Sequence, residues 1–148
     1  MGDILLFTHS WLRWIVLLMG LFLIVSGFIG MSSGKDFTKG KNGMSAGFVG
    51  LFHLQLVIGL LLYFVFSPIT EVAFSDFGAA MKNSELRFWA VEHILVMVLA
   101  AVVAQIGRIK IKKAETDKAK FKAMAVYFTI ALVLVLSRIP WSSDRLGF

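Results

Sequence analysis

The sequence predicts an all-α fold: an integral membrane four-helix bundle that runs up-down-up-down. Of the 148 residues, 58% are hydrophobic and only 16% are charged, whereas a soluble domain is about half apolar and a quarter charged. The mean hydropathy is +0.82. Four stretches approach the ~20 consecutive apolar residues that cross a bilayer. Each is predicted to be helical, because lipid offers no hydrogen bonds to an irregular backbone.

The four predicted spans follow one another along a single domain. They cover about residues 5–29, 46–66, 86–106 and 121–139 of the domain 1–148. A segment rich in Gly, Ser and Lys joins the first two spans and is typical of a polar loop. Pro68 is predicted to end the second span, and residues 70–81 after it could form a short amphipathic helix on the membrane surface. A strongly basic loop precedes the fourth span.

Charge distribution predicts the orientation of the bundle. Ten of the 15 Lys and Arg residues lie on the side of the membrane where loops join spans one to two and three to four, either in those loops or at the start of span four. Cytoplasmic loops carry this excess in membrane proteins, so both termini are predicted on the outer side. The net charge of +6 therefore indicates topology and contact with anionic membrane lipid, and not a nucleic-acid partner. Absence of cysteine excludes disulfides, Fe–S clusters, thiolate metal sites and covalent c-type haem.

Three histidines lie within the predicted spans: His9, His53 and His93. A histidine in a span either hydrogen-bonds to a neighbouring helix or belongs to a functional site. His9 and His93 each follow an outer charged residue by six positions, which places both about 9 Å into the membrane. His53 is predicted about 22 Å from the outer end of its span. One metal ion bound by all three is not expected, because zinc ligands lie within about 2 Å of the ion.

Two histidines at equal depth suit haem b. The haem iron takes axial nitrogen ligands from the two faces of a planar ring, and bundles place such sites between facing helices. In an up-down bundle the first and third helices, which carry His9 and His93, are diagonal. Small residues continue both histidine faces: Gly20 and Gly27 on the first, and Ala90, Ala100 and Ala104 on the third. They make room for a ring or allow close helix packing, and the sequence leaves both open.

Three arginines are predicted at the same outer end. Arg13 shares a helical face with the histidine four residues before it, Arg87 precedes the third span, and Arg138 ends the fourth. Haem b carries two propionates, and arginine binds carboxylates through a planar fork. Alternatively, Arg13 and Arg87 reach the lipid headgroups or pair with Glu85 or Glu92.

The third histidine, His53, has several open roles. An interhelical hydrogen bond is the simplest. With Gln55 or Tyr63 it could line a quinone pocket. It could also bind a second haem, whose other ligand would then have to be a methionine such as Met97 or Met124, because the fourth span has no histidine.

The chain contains five segments that resemble a known family: HSWLRWIVL, FHLQLVIGLLLYF, LRFWAVEH, QIGR and RIPW. They are similar to short four-helix bacterial membrane proteins labelled cytochrome B, and more loosely to cytochrome b561-like proteins. The resemblance runs from His9 to Trp141. It implies a b-type haem, a place in the bacterial inner membrane and electron transfer with the quinone pool. It also implies His9 and His93 as the axial iron ligands, with His53 as a third candidate. Three histidines are fewer than the four of a di-haem b561 protein.

Three functions follow as hypotheses. The first is a small b-type cytochrome of a respiratory chain that takes electrons from quinol, with both termini in the periplasm. The second is a non-haem structural or accessory subunit of a larger membrane complex. The third is a proton relay through Glu92, His93 and His53, which is least favoured because no span has a proline in its middle. The phosphate-loop and HExxH motifs of soluble enzymes do not occur.

Overall fold

The computed structural model describes residues 1–141, which are almost entirely helical and contain no strand. The predicted all-α class is therefore confirmed. The α-helices of this range are α1 (Gly2–Ser33), α2 (Lys39–Leu61), α3 (Pro68–Ser75), α4 (Phe77–Lys82), α5 (Ser84–Arg87), α6 (His93–Lys113) and α7 (Asp117–Ser137). The chain also has two π-helical turns in this range. The first π-turn, Leu62–Phe66, directly follows α2, and the second π-turn, Phe88–Glu92, directly precedes α6.

Four of the helical runs are long and apolar enough to cross a membrane. They are Gly2–Ser33, Lys39–Phe66, Ser84–Lys113 and Asp117–Ser137. The first three contain the predicted spans and extend beyond them, because polar residues next to an apolar stretch continue its helix. The fourth ends at Ser137, two residues before the predicted end. Ile139 precedes Pro140, and a residue before proline is disfavoured in the α conformation.

Side-chain caps define where the shorter helices start. Pro68 occupies the first turn of α3, and the Ser67 hydroxyl accepts a hydrogen bond from the Thr70 amide at 3.3 Å. The predicted amphipathic helix over 70–81 is instead divided between α3 and α4. Asp76 lies between them, and its carboxylate accepts a hydrogen bond from the Ala79 amide at 2.9 Å. An aspartate that binds a nearby amide in this way starts a new helix.

The four long helices form a bundle in which α1 and α6 are diagonal. Each of these two helices packs against both α2 and α7, and neither packs extensively against the other. Large side chains from all four helices fill the interior and are almost completely buried: Leu23, Phe48, Ile111, Met124 and Phe128. This arrangement matches the diagonal placement predicted for the helices that carry His9 and His93.

Glycines bring α1 close to α7. A Cβ atom added at Gly27 would lie 2.9 Å from both the backbone nitrogen and the Cβ of Ala125. One added at Gly20 would lie 2.6 Å from a methyl group of Leu132. The sequence left open whether these two glycines make room for a haem ring or allow close helix packing, and the structure shows close packing.

Candidate cofactor site

A cavity of about 280 Å³ lies between α1, α2 and α6 at the end of the bundle where the two π-turns are found. A smaller cavity of about 80 Å³ shares part of its wall and reaches α7. His9, His93 and Met97 line both. The larger volume is near the lower limit of the ~300–1,000 Å³ typical of small-molecule sites. Its lining includes Leu6 and Phe66, whose side chains are exposed at the bundle surface.

His93 is held in one tautomer by a backbone group. Its Nδ1 atom lies 2.8 Å from the carbonyl oxygen of Arg138, at the end of α7. A carbonyl can only accept, so Nδ1 carries the proton and Nε2 keeps its lone pair. Histidines that bind metals are commonly oriented by such a hydrogen bond at the other ring nitrogen.

His9 enters the cavity from the opposite helix. Its ring fits against Gly59 of α2, where an added Cβ would lie 3.0 Å from the His9 Cε1 atom. Its backbone carbonyl accepts a hydrogen bond from the Gln55 Nε2 atom at 2.9 Å. Within residues 1–141, the buried His9 Nδ1 and Gln55 Oε1 atoms make no hydrogen bond. Such atoms are rare in protein interiors and are explained by a bound ligand or water.

The structure separates His53 from the other two histidines. Its neighbour Phe52 lines the cavities, whereas the His53 side chain is exposed on the outer surface of α2. The predicted quinone-pocket residues Gln55 and Tyr63 both line the larger cavity without it. No group of three or more His, Asp or Glu side chains in the described part of the chain is arranged to bind a metal ion.

The three predicted arginines have different surroundings. Arg13 is buried, lines the smaller cavity and stacks over the Trp14 ring, with its Cζ atom 5.3 Å from the ring centroid. Arg87 and Arg138 instead flank Glu92. The Arg87 Nε atom lies 2.9 Å from one carboxylate oxygen, and the Arg138 Nε atom lies 3.6 Å from the other. Arg13 is therefore the arginine that the structure places at the cavity wall.

Trp89 and Thr70 are site residues that sequence reasoning missed. Trp89 lines both cavities, and its ring centroid lies 5.6 Å from that of His93. The four-residue spacing to His93 was the available signal, since such residues share a helical face. Thr70 lines the larger cavity from α3, and no pattern in the sequence indicated this.

The arrangement has the chemistry of a ligand-binding site in an apolar setting. Two imidazoles on diagonal helices face a shared cavity whose wall is mostly apolar. Imidazole nitrogens bind iron, donate and accept hydrogen bonds, or transfer protons. Comparisons with known proteins do not decide among these roles of the imidazoles, since no protein-family model, curated protein or solved structure matches the chain.

The Glu92 ion pairs make a first testable prediction. In Glu92→Gln the Arg87 and Arg138 guanidinium groups lose their shared carboxylate. We expect the free energy of unfolding in detergent to fall by about 1 kcal/mol, the upper value for partly exposed pairs, and the loss to shrink at high salt. Glu85→Gln is the control, since Glu85 makes no ion pair in residues 1–141. Equal stability of the two variants at low salt would contradict the prediction.

Proposed function

We propose that the protein is a small membrane b-type cytochrome that binds one haem between His9 and His93 and transfers electrons. The observation that carries the proposal is the placement of these two imidazoles on diagonal helices, around one cavity. A bis-histidine haem would be held by one imidazole from each side, and diagonal helices of a bundle offer side chains from opposite sides of the interior.

The residues present fit this group. The His93 Nδ1 atom donates a hydrogen bond to the Arg138 carbonyl oxygen, which leaves Nε2 as the atom able to bind iron. His9 has a buried Nδ1 without a hydrogen bond in the described residues. Gly59 gives the His9 ring the space it occupies. Leu6 and Phe66 line the cavity and are exposed at the bundle surface. A flat ligand that is larger than the cavity could therefore extend outward past them.

When bound, the haem would supply reversible one-electron exchange at iron. The chain's own residues orient the ligands and exclude water. The Arg138 carbonyl holds the His93 ring, and the Gln55 amide fixes the α1 backbone at His9. Arg13 provides a buried positive charge at the smaller cavity, suited to one propionate. Trp89 and Met97 supply apolar wall.

The cellular setting completes the proposal. We place the chain in the bacterial inner membrane as an up-down-up-down bundle, with the N and C termini on the periplasmic side. The asymmetric distribution of Lys and Arg among the loops supports this orientation. The electron donor would be a membrane quinol that reaches the exposed rim of the larger cavity. Gln55 supports this, since it lines that cavity and its Oε1 atom, which makes no hydrogen bond in the described residues, can accept one from a quinol hydroxyl.

Haem titration into detergent-purified apoprotein tests the proposal. We expect saturation at about one haem per chain, measured by absorbance and by pyridine haemochrome, since two histidines provide one pair of axial ligands. His53→Ala should bind equally well, because His53 lies outside the cavity. A protein that binds no haem, or binds it only in proportion to detergent, would contradict the proposal.

A non-haem accessory subunit of a larger membrane complex is the second candidate function. The observation in its favour is the Glu92 cluster, in which two of the three predicted propionate-binding arginines already pair with a carboxylate of the protein. The exposed His53 adds a polar group on a helix surface where a neighbouring subunit could bind it. Failure of the haem titration, together with co-purification of defined partner subunits, would favour this function.

A further inference from the structure

The two π-turns meet at the cavity and are joined by a side chain. Tyr63, in the first π-turn, donates its hydroxyl hydrogen bond to the carbonyl oxygen of Ala90 in the second, at 2.5 Å. The Thr70 hydroxyl of α3 in turn donates to the Tyr63 carbonyl at 2.6 Å. Both Thr70 and Ala90 are buried. A chain of hydrogen bonds therefore links α3, the end of α2 and the start of α6.

The second π-turn ends directly at His93. The His93 amide bonds to the Phe88 carbonyl, five residues back, where an α-helix would use the residue four back. Each residue of an α-helix advances about 100° around the axis, so one extra residue in a turn changes the direction of everything before it relative to α6. The turn contains Trp89 and ends at His93, so its geometry sets how both side chains reach the cavity wall.

We propose that Tyr63 is a positioning residue: its hydroxyl holds the second π-turn in place and so aims His93 into the cavity, with Thr70 supporting it. A π-turn breaks the regular pairing of helical carbonyls, and a buried carbonyl without a donor costs stability. Tyr63 supplies the donor for Ala90. The inference rests on the proposed function only where it names haem as the ligand of His93. The orientation of the His93 ring is a property of the protein without haem.

Tyr63→Phe removes the hydroxyl and keeps the ring. Without this hydrogen bond, the second π-turn is no longer tied to the end of α2 and is expected to relax toward α-helix. His93 would then lose its fixed hydrogen bond to Arg138. Thr70→Val removes the supporting hydroxyl at nearly constant volume and should have a smaller effect of the same kind. Tyr127→Phe is the matched control, since Tyr127 lies on α7 and lines neither cavity.

Nitrogen-15 NMR of histidine-labelled apoprotein reads the effect without haem. The chain has three histidines, and His93→Ala identifies the His93 signals by subtraction. We expect one protonated Nδ1 signal for His93 in the wild type and in Tyr127→Phe. In Tyr63→Phe that signal should shift or split into two tautomers, with a smaller change in Thr70→Val. The haem affinity of Tyr63→Phe should also fall by about fivefold, the effect of one typical hydrogen bond.

Each outcome separates the inference from the proposed function. Unchanged His93 signals in both Tyr63→Phe and Thr70→Val would overturn the positioning role, whether or not haem binds. Shifted signals in a protein that binds no haem would support the positioning role and reject the cytochrome. If Tyr63→Phe fails to fold, Thr70→Val decides by the same signals.

Discussion

Replacing either His9 or His93 by alanine is expected to abolish the six-coordinate, low-spin spectrum of bound haem. In the proposed cytochrome each imidazole would hold the iron from one side, and within residues 1–141 the cavity wall has no other histidine. The measurement is the dithionite-reduced spectrum of each purified variant, with haem content from pyridine haemochrome. This is the largest functional effect that the account predicts, because one substitution removes an iron bond outright.

His53→Ala is the matched control for these two variants. Its side chain is exposed on α2, so the spectrum and haem content should equal those of the wild type. The informative contradiction is a reversed pattern, in which His53→Ala loses the low-spin spectrum while His9→Ala keeps it. That result would show that the ligand pair was chosen wrongly, although the protein would still be a cytochrome.

Gly27→Ala is expected to give a large loss of stability for a single added methyl group. The new Cβ would lie 2.9 Å from the backbone nitrogen of Ala125, and backbone cannot move aside as a flexible side chain can. Overpacking of this kind costs about 1–3 kcal/mol. The helices α1 and α7 would have to separate, which disturbs the main contact of α1 in the bundle. The midpoint of unfolding in detergent, by heat or by denaturing surfactant, measures the effect.

Gly50→Ala provides the comparison for Gly27→Ala. An added Cβ at Gly50 has no neighbouring atom within 4 Å among the described residues, and alanine is the better helix former by about 1 kcal/mol. We therefore expect Gly50→Ala to be neutral or slightly stabilising. Equal midpoints for the two variants would show that the close approach of α1 and α7 does not limit stability.

The fold was predictable because a bilayer imposes local rules. Long apolar stretches must be helical in lipid, so composition alone located the four long helices. Pro68 marked the end of the second span for a steric reason that does not depend on context. The diagonal placement of the helices carrying His9 and His93 followed from chain order in a four-helix bundle and matches the structure.

Tertiary contacts were less predictable than helices. Arg87 and Arg138 are 51 residues apart in the sequence, which could not show that both approach Glu92. The two π-turns are joined by a hydrogen bond between Tyr63 and Ala90, 27 residues apart, and no local propensity encodes this contact. Asp76 divides the segment 70–81 because its side chain competes for a backbone amide, a choice that hydrophobic periodicity does not reveal.

The central claim, that His9 and His93 together bind one haem, is tested most directly by one optical measurement. It is the dithionite-reduced minus air-oxidised spectrum of the wild-type protein, expressed with haem supplied and purified in detergent. The account predicts the sharp reduced bands of a low-spin b-type haem, at about one haem per chain, as expected for one pair of axial histidines. A protein that stays colourless under these conditions would contradict it and leave the accessory subunit as the better explanation of the site.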